Sequence, residues 1–258
     1  MTTAAGPADP WIRRYHPAPA APFRLVCLPH AGGSASYFHP VSQALSPDAD
    51  VVAVQYPGRQ DRLREKCLED IREMADRVFS SLWPLTDLPM VLFGHSMGAS
   101  VAFEVARRME DKGLVPAALF VSGRRAPSRH RDEQIHLKDD EDFLAEIRAL
   151  DGTDASLLDD PEIRRMVLPA LRKDYKAAET YRYVPGAPLK CPVVAMVGDS
   201  DRKAPLEDVR AWAEHTSAAF ELEVFPGGHF YLGGQPQAVV AKIRSHAAAL
   251  TGTRGTRG

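Results

Sequence analysis

The sequence predicts a mostly parallel β-sheet, doubly wound, with helices covering both of its faces. Apolar runs with few polar residues alternate along the chain with stretches that have helical spacing. Strands that are buried on both faces have this continuous apolar composition, and parallel strands are usually connected by helices. Hydrophobic residues make up 45 % of the chain, which is enough to fill the core of such an α/β protein.

The predicted elements follow one another along the chain, and most strands end at glycine, proline or polar residues. The predicted strands are residues 23–28, 50–55, 91–93, 117–122, 192–197 and 220–225. Helices are predicted over residues 69–83, 99–112 and 236–250. In the first of these helices, Ile71, Met74 and Val78 recur at helical spacing, which indicates one buried face.

One segment, residues 124–190, interrupts the alternation because it contains no predicted strand. Residues 142–150 have helical spacing, and a second helix can begin at Pro161, since proline is tolerated in the first turn. Pro169 should bend this second helix. The segment follows a strand near the centre of the sheet, so we expect it to form a helical lid over the carboxyl edge. An insertion with a purely structural role is the alternative.

Composition limits the class of protein. We expect residues 1–258 to form a single domain with disordered ends at 1–10 and 251–258, where apolar residues are few. The 32 basic and 34 acidic residues give a formal charge of −2, which does not favour nucleic-acid binding. Neither a membrane-spanning run nor a signal peptide is evident. The three cysteines are far apart and indicate a reducing compartment, so we expect a cytoplasmic protein.

The motif Gly94-His95-Ser96-Met97-Gly98 lies between a predicted strand and a predicted helix. A serine in this context is held in a strained turn that exposes its hydroxyl above the carboxyl ends of the strands. The two glycines leave room where strand and helix pass too closely for a Cβ atom. Ser96 is therefore the predicted nucleophile. An ordinary turn is the alternative, because so short a pattern also occurs by chance.

A serine hydroxyl attacks efficiently only if a base removes its proton. His229 is the predicted base, because it lies in a glycine-rich loop just past the last strand, at the edge where ligands bind to such sheets. His95 is adjacent to the serine, but neighbouring residues in such a turn point in different directions. His30 also lies at a strand end and is the weaker candidate. No pair of histidines has the spacing of zinc ligands, so we expect no metal.

An acid must orient the imidazole and stabilise its charged form. Asp199 and Asp201 both follow the strand at residues 192–197, and we choose Asp201 because it lies further into the loop that can reach His229. The strand that ends at Ser122 is followed by no acid. The order Ser96, Asp201, His229 is typical of hydrolases whose serine lies at a strand–helix turn.

The tetrahedral intermediate carries a negative charge that requires preorganised hydrogen-bond donors. One predicted donor is the backbone N–H of Met97, the residue after the nucleophile. The other is the backbone N–H of Ala31, in the loop His30-Ala31-Gly32-Gly33, where small residues permit a close approach of the backbone. A plain glycine turn is the alternative interpretation of this loop.

Several motifs accompany the serine motif over residues 23–250. They are Leu28-Pro29-His30-Ala31-Gly32-Gly33, Tyr56-Pro57-Gly58-Arg59, Leu171-Arg172-Lys173-Asp174-Tyr175, Gly198-Asp199-Ser200-Asp201 and Gly227-Gly228-His229-Phe230. With them the chain resembles the α/β-hydrolase superfamily and, within it, the stand-alone type II thioesterases of polyketide and nonribosomal peptide synthesis. The Pro-Gly-Arg and Leu-Arg-x-Asp-Tyr motifs narrow this resemblance, because generic esterases do not usually carry them.

The resemblance implies a serine thioesterase that needs no cofactor. It would release acyl groups from the phosphopantetheine arm of an acyl or peptidyl carrier protein and so clear stalled synthases. A carboxylesterase acting on small free esters would share Ser96, Asp201 and His229, and it is the main alternative. A hydrolase fold used only for binding is the non-enzymatic alternative. We expect a monomer that binds neither nucleic acid nor membranes.

The expected carrier is acidic, so a basic surface near the lid is a candidate docking site. One concentrated basic run follows the strand that leads into the lid and comprises Arg124, Arg125, Arg129 and Arg131. The alternative is a solvated loop in which these arginines pair with Asp132, Glu133, Asp139 and Asp140.

Overall fold

The computed structural model describes residues 9–150 and 159–252, with side chains described as far as residue 246. The strands are β1 (Ile12–Arg13), β2 (Arg24–Leu28), β3 (Asp50–Val54), β4 (Met90–His95), β5 (Ala118–Ser122), β6 (Val193–Gly198) and β7 (Phe220–Phe225). They form a seven-stranded sheet in the order β1-β3-β2-β4-β5-β6-β7. Only β1 is antiparallel to its neighbour, so the prediction of a mostly parallel sheet is confirmed.

All six predicted strands are present, and their ends lie within two residues of the predicted ones. The seventh strand, β1, was not predicted. It consists of two residues at the sheet edge, where Ile12 pairs with Val54 and Arg13 with Ala53. Two residues carry no hydrophobic periodicity, so only the pairing with β3 reveals this strand.

Besides several short 3-10 helices, eight α-helices occur in the described residues. They are α1 (His39–Leu45), α2 (Ile71–Leu82), α3 (Met97–Asp111), α4 (Asp140–Arg148), α5 (Pro161–Thr180), α6 (Leu206–Arg210), α7 (Tyr231–Gly234) and α8 (Pro236–Gly252). The longer helices agree with the sequence prediction, whereas the short α1, α6 and α7 were not predicted. Helix α2 begins after Asp70, whose carboxylate accepts a hydrogen bond from the Glu73 N–H at 2.8 Å and so caps the helix.

The predicted disordered ends fall largely outside the described part of the chain. Residues 1–8 and 253–258 lie outside it, and α8 continues to Gly252, two residues beyond its predicted end. Among the residues that the structure describes, none of the helices combines the length and apolar character needed to span a bilayer.

The core consists of two apolar layers, one on each face of the sheet. Successive side chains of a strand point to opposite faces. In β2, Val26 and Leu28 therefore belong to the layer beneath α2 and α3, while Leu25 and Cys27 belong to the layer beneath α1 and α8. All four side chains are fully buried. Strands β2 to β6 are thus buried on both faces, which explains their apolar runs, whereas β7 contains two glutamates and is only partly buried.

Helices α4 and α5 lie in the segment 124–190, which contains no strand within its described residues. Asp160 caps α5 by accepting hydrogen bonds from the N–H groups of Glu162 and Ile163, with Pro161 in the first turn. The helix continues through Pro169 to Thr180, so the proline does not end it. Fully buried side chains appear in α5 only from Ala170 onward. The second half of α5 is therefore packed against the molecule, while the first half is more exposed.

The junction of β4 and α3 is too crowded for side chains at its two glycines. A Cβ atom on Gly94 would lie 2.2 Å from the carbonyl oxygen of Gly98, and one on Gly98 would lie 2.1 Å from the carbonyl oxygen of Leu28. These contacts are with backbone atoms, which cannot rotate away. The sheet and α3 therefore approach each other this closely only because both positions are glycine.

Gly98→Ala should lower the free energy of unfolding by roughly 3 kcal/mol or prevent folding, because the added methyl group overpacks a site bounded by backbone. Denaturant unfolding monitored by circular dichroism measures this change. Gly233→Ala is the matched control, since no atom lies within 4 Å of the Cβ that it would add. Equal stability of the two variants would contradict the crowding argument.

Candidate active site

Ser96 occupies a strained turn between β4 and α3. Its φ of 53° and ψ of −117° lie in a region that residues other than glycine rarely adopt, at a cost of about 1–3 kcal/mol. The Ser96 N–H donates a hydrogen bond of 2.8 Å to the carbonyl oxygen of Ser122, which ties the turn to the end of β5. The turn presents the Ser96 hydroxyl at the carboxyl edge of the sheet, as the sequence motif predicts.

Ser96, His229 and Asp201 form one hydrogen-bonded chain. His229 Nε2 lies 2.9 Å from Ser96 Oγ, and His229 Nδ1 lies 2.9 Å from Asp201 Oδ2. In this chain Nδ1–H donates to the carboxylate, which leaves Nε2 free to accept the serine proton. Asp201 and His229 are each only 5 % exposed, so solvent weakens this pairing little. The structure brings together the three side chains that the sequence analysis selected.

The two candidate acids have different partners. The second oxygen of Asp201, Oδ1, accepts hydrogen bonds from the N–H groups of Lys203 at 2.9 Å and Ala204 at 3.3 Å, so the carboxylate is held from both sides. Asp199 is exposed, and its Oδ1 accepts a hydrogen bond of 3.0 Å from the Gly227 N–H. Asp199 therefore supports the loop that leads to His229, whereas Asp201 contacts the imidazole itself.

The two predicted oxyanion donors line the same cavity as Ser96 and His229. Within the described residues, neither the Ala31 N–H nor the Met97 N–H donates a hydrogen bond to the protein. Met97 is the first residue of α3, where N–H groups have no acceptor within the helix. Both donors are thus available to a substrate oxygen in this cavity.

The cavity at Ser96 is small and its lining is mixed in charge. Its volume is about 40 Å³, well below the roughly 300–1,000 Å³ of typical ligand pockets. Besides Ser96 and His229, its wall contains residues of the lid segment and several charged side chains. The charged residues are Arg124, Arg125, Glu133, Glu179 and Lys203. The cavity must widen before a ligand of ordinary size can enter it.

His95 and His30, the two histidines that were weighed against His229, lie behind the catalytic imidazole. His95 is fully buried, and its Nδ1 lies 3.0 Å from Ser122 Oγ rather than near the Ser96 hydroxyl. Its pKa is lowered well below the usual value, first by burial and then by the charges of His229 and His30. Burial likewise lowers the pKa of His30 to about 3. Both imidazoles are neutral, and neither is placed to accept the serine proton.

The sequence analysis did not predict the ion pair between Arg59 and Asp174, which lies near the site. Asp174 of α5 is fully buried, and its carboxylate accepts two hydrogen bonds from the Arg59 guanidinium, at 2.6 Å from Nη1 and 2.9 Å from Nη2. The carboxylate also accepts the Gly32 N–H at 2.8 Å. The Pro-Gly-Arg and Leu-Arg-x-Asp-Tyr motifs that contain these residues were the available signal. Because the partners are 115 residues apart, only the fold shows that they meet.

The arginine run proposed for carrier docking is largely neutralised by ion pairs. These are Arg125–Glu133 (3.0 Å), Arg129–Glu214 (2.6 Å) and Arg131–Asp208 (2.7 Å). Only Glu133 belongs to the acids expected as partners. Arg124 forms no ion pair with a described residue; it donates to Ser100 Oγ and to the Ala178 carbonyl oxygen. Burial and then the charge of Arg125 lower the pKa of Arg124 to about 10. A docking role for this run stays a prediction.

Among the residues that the structure describes, no group of three or more histidine, cysteine, aspartate or glutamate side chains is arranged to hold a metal ion. The serine, imidazole and carboxylate are the reactive groups that the structure joins at the cavity. Joined in this order at a strained strand–helix turn of a mostly parallel sheet, they define a serine hydrolase of the α/β-hydrolase fold.

Comparison with known proteins narrows this class. The thioesterase domain family matches residues 23–247, and the chain belongs to this family. Thioesterase PikA5 of Streptomyces venezuelae is 53 % identical over 249 residues, which cover 96 % of this chain and 89 % of the relative. A probable cadicidin biosynthesis thioesterase of Streptomyces griseus is 50 % identical over 243 residues, which cover 94 % of this chain and 67 % of the relative.

Solved structures agree with this assignment. The type II thioesterase BorB from the borrelidin biosynthetic cluster is 53 % identical and matches with a TM-score of 0.88, over 94 % of this chain and 100 % of BorB. RedJ, a thioesterase of the prodiginine pathway in Streptomyces coelicolor, is 39 % identical with a TM-score of 0.83, over 95 % of this chain and 91 % of RedJ. The expected fold and the resemblance to type II thioesterases are confirmed.

Asp201→Asn should reduce kcat on the order of 10⁴-fold, because an amide at this position favours the wrong imidazole tautomer. Asp199→Asn is the matched control, since the amide oxygen can still accept the Gly227 N–H and the side chain does not contact His229. Steady-state hydrolysis of an acyl thioester measures both variants. A larger loss in the Asp199 variant would show that the wrong carboxylate was chosen.

The buried neutral His95 should make the protein less stable in mild acid. The unfolded chain binds a proton on histidine near pH 6.5, whereas folded His95 stays neutral, so the unfolded state gains protons as the pH falls below 6.5. The free energy of unfolding should then fall by up to roughly 1.4 kcal/mol per pH unit from this one group.

Denaturant unfolding between pH 6.5 and 5.0 tests the role of His95. His95→Gln should flatten the dependence of stability on pH, whatever its effect on stability itself. His39→Gln, at an exposed position, is the control and should leave the slope unchanged. Identical slopes for the wild type and the His95 variant would contradict this account.

Proposed function

We propose that this chain hydrolyses acyl thioesters held on the phosphopantetheine arm of an acyl or peptidyl carrier protein, using Ser96 as nucleophile. The observation that carries the proposal is the hydrogen-bonded chain from Ser96 through His229 to Asp201. The relatives support the substrate class, since BorB is a type II thioesterase of a biosynthetic cluster and PikA5 is a thioesterase. Such an enzyme would remove stalled or aberrant acyl units from a polyketide or nonribosomal peptide synthase.

The geometry supports a two-step acyl transfer. Ser96 Oγ attacks the thioester carbonyl carbon while His229 Nε2 takes its proton, and Asp201 stabilises the imidazolium that forms. The N–H groups of Ala31 and Met97 donate hydrogen bonds to the oxyanion. His229 then returns the proton to the leaving thiol, and a water molecule activated by the same imidazole releases the free acid. No step requires a cofactor or a metal ion.

Residues 124–190 are proposed to act as a lid within a single domain. The cavity of about 40 Å³ is too small for an acyl chain, and its wall includes Tyr175 and Ala178 of α5. Met166, in the first half of α5, is 51 % exposed, whereas Leu171, in the second half, is 6 % exposed and packs with Ile135 and Phe143. The first half of α5 could therefore move at little cost in buried apolar contacts, whereas widening the cavity also requires Tyr175 and Ala178 in the second half to shift.

A carboxylesterase for small free esters is disfavoured as an alternative. It would use the same three side chains, so the site alone does not exclude it. The relatives decide between the two, because the proteins that match at 50–53 % identity over most of this chain are thioesterases. The carrier protein as partner is inferred from the same relatives.

Ser96→Ala should reduce kcat by roughly 10⁶-fold, as expected for removal of a serine nucleophile, while the thermal midpoint of unfolding stays within a few degrees of the wild type. Hydrolysis of one acyl group should be compared on a carrier protein, on pantetheine and as an oxygen ester. We expect kcat/KM to be highest for the carrier-bound thioester and lowest for the oxygen ester. Fastest hydrolysis of the oxygen ester would indicate a carboxylesterase instead.

A further inference from the structure

A buried ion pair joins the lid segment to the loops at the carboxyl edge of the sheet. Asp174 comes from α5, and Arg59 comes from the loop after β3. Asp174 is 0 % exposed and Arg59 is 5 % exposed, and two hydrogen bonds join them in a bidentate arrangement. Bidentate pairing fixes both the distance and the orientation of the two groups.

The same pair holds the loop that carries Ala31 at two successive residues, Gly32 and Gly33. Asp174 Oδ2 accepts the Gly32 N–H at 2.8 Å, and Arg59 Nη1 donates to the Gly33 carbonyl oxygen at 3.1 Å. Gly32 has a φ of +75°, which glycine adopts at little cost. The residues that directly follow Ala31 are therefore held by charged side chains, in addition to the hydrogen bond of 2.9 Å within the loop from the Gly33 N–H to the His30 carbonyl oxygen.

The charges of the pair matter because the oxyanion forms nearby. An unneutralised carboxylate bound to Gly32 would raise the energy of a negative oxyanion at the neighbouring Ala31 N–H. Arg59 contacts both oxygens of Asp174 and cancels that charge. Burial is the largest single effect and lowers the pKa of Arg59. The charge and hydrogen bonds of Asp174, together with smaller contributions from Tyr56 and Cys67, outweigh it, so the pKa is raised above its usual value.

Stability alone is a weak reason for such a pair. Two charges lose much of their hydration on burial, and well-packed apolar residues of similar size often serve stability as well or better. Apolar residues, however, could not bind both the N–H of Gly32 and the carbonyl oxygen of Gly33. The ion pair therefore fixes the geometry of the loop, which an apolar replacement would not do.

We propose that Asp174 and Arg59 are positioning residues for the oxyanion hole, holding the loop after β2 so that the Ala31 N–H is aimed at the oxyanion. Because Asp174 belongs to α5, the oxyanion hole is complete only while the second half of α5 is packed against the carboxyl edge of the sheet. The lid segment thus contributes to catalysis through Asp174 as well as by covering the cavity. This inference rests on the proposed role of Ala31 as an oxyanion donor.

The test must separate positioning from a merely structural role. Asp174→Asn keeps the size of the side chain and one oxygen for the Gly32 N–H, but its amide N–H group cannot accept a hydrogen bond from Arg59, so the bidentate pair that holds Gly32 and Gly33 together is lost. We expect kcat to fall by about 10²-fold, as for the loss of an oxyanion donor, and KM to change by less than about threefold. Rates are normalised to the fraction of enzyme that reacts with a fluorophosphonate, so a partly unfolded preparation does not mimic the effect.

A second readout reports on the oxyanion directly. A trifluoromethyl ketone forms a tetrahedral adduct with Ser96 whose oxygen occupies the oxyanion hole, and its affinity should fall in parallel with kcat. If Asp174→Asn lowers only thermal stability, or raises only KM, the pair is structural and the proposal is overturned. This ketone assay requires only a reactive serine, so it remains decisive even if carrier-bound thioesters prove not to be substrates.

Lys173→Gln is the matched control on the same helix. Lys173 forms an ion pair of 2.9 Å with Glu69, which also joins α5 to the rest of the molecule but does not contact the loop after β2. This variant should retain the kcat and the ketone affinity of the wild type. If Lys173→Gln lost as much kcat and ketone affinity as Asp174→Asn, any weakening of the contacts between α5 and the rest of the molecule would have the same effect. That result would overturn the specific role of Asp174.

Arg59→Lys keeps the proposal testable if Asp174→Asn does not fold. The ammonium group retains the positive charge but cannot bind both carboxylate oxygens in the bidentate manner. We expect a loss of about 10-fold in kcat and a matching loss in ketone affinity, smaller than for Asp174→Asn because the charge is kept. Unchanged values for both quantities would overturn the proposal.

Discussion

The close crossing of β4 and α3 is the constraint on which the rest of the site depends. Gly94 and Gly98 allow the strand, the helix and β2 to approach at backbone distance, and the turn between them forces Ser96 to a φ of 53°. That strain is sustained because the surrounding sheet and helix hold the turn from several sides. The Ser96 hydroxyl consequently projects above the carboxyl edge, where loops from other strands can reach it.

Two sets of contacts complete the site around this serine. On one side, Asp201 receives three hydrogen bonds and holds His229 within reach of the hydroxyl. On the other, the loop that contains Ala31 is held by side chains from α5 and from the loop after β3. The imidazole of His229 is thus held by the loops after β6 and β7, whereas the loop that contains Ala31 depends also on α5. A displacement of α5 would disturb only the second set.

The positions of the three reactive residues were predictable because a parallel sheet gathers the carboxyl ends of its strands at one edge. Ser96, Asp201 and His229 each follow a different apolar run, so their proximity could be inferred without knowing any distance. The choice of Asp201 over Asp199 was predictable in the same way, from its place further along the loop. The order of the strands in the sheet, including the place of the edge strand β1, could not be predicted in this way. It depends on hydrogen bonds between backbones, which leave no periodic pattern in the sequence.

By itself, the sequence determined the fold class and the membership of the thioesterase family, and it predicted the nucleophile, its base and its acid, because these depend on local patterns and on the common edge of a parallel sheet. Only the tertiary structure decided the contacts between distant polar groups. Arg59 meets Asp174 across 115 residues, and Arg129 meets Glu214 across 85. No pattern in the sequence identifies the partner of a charged side chain. Such pairs can therefore be recognised only when the positions of the helices and loops in three dimensions are known.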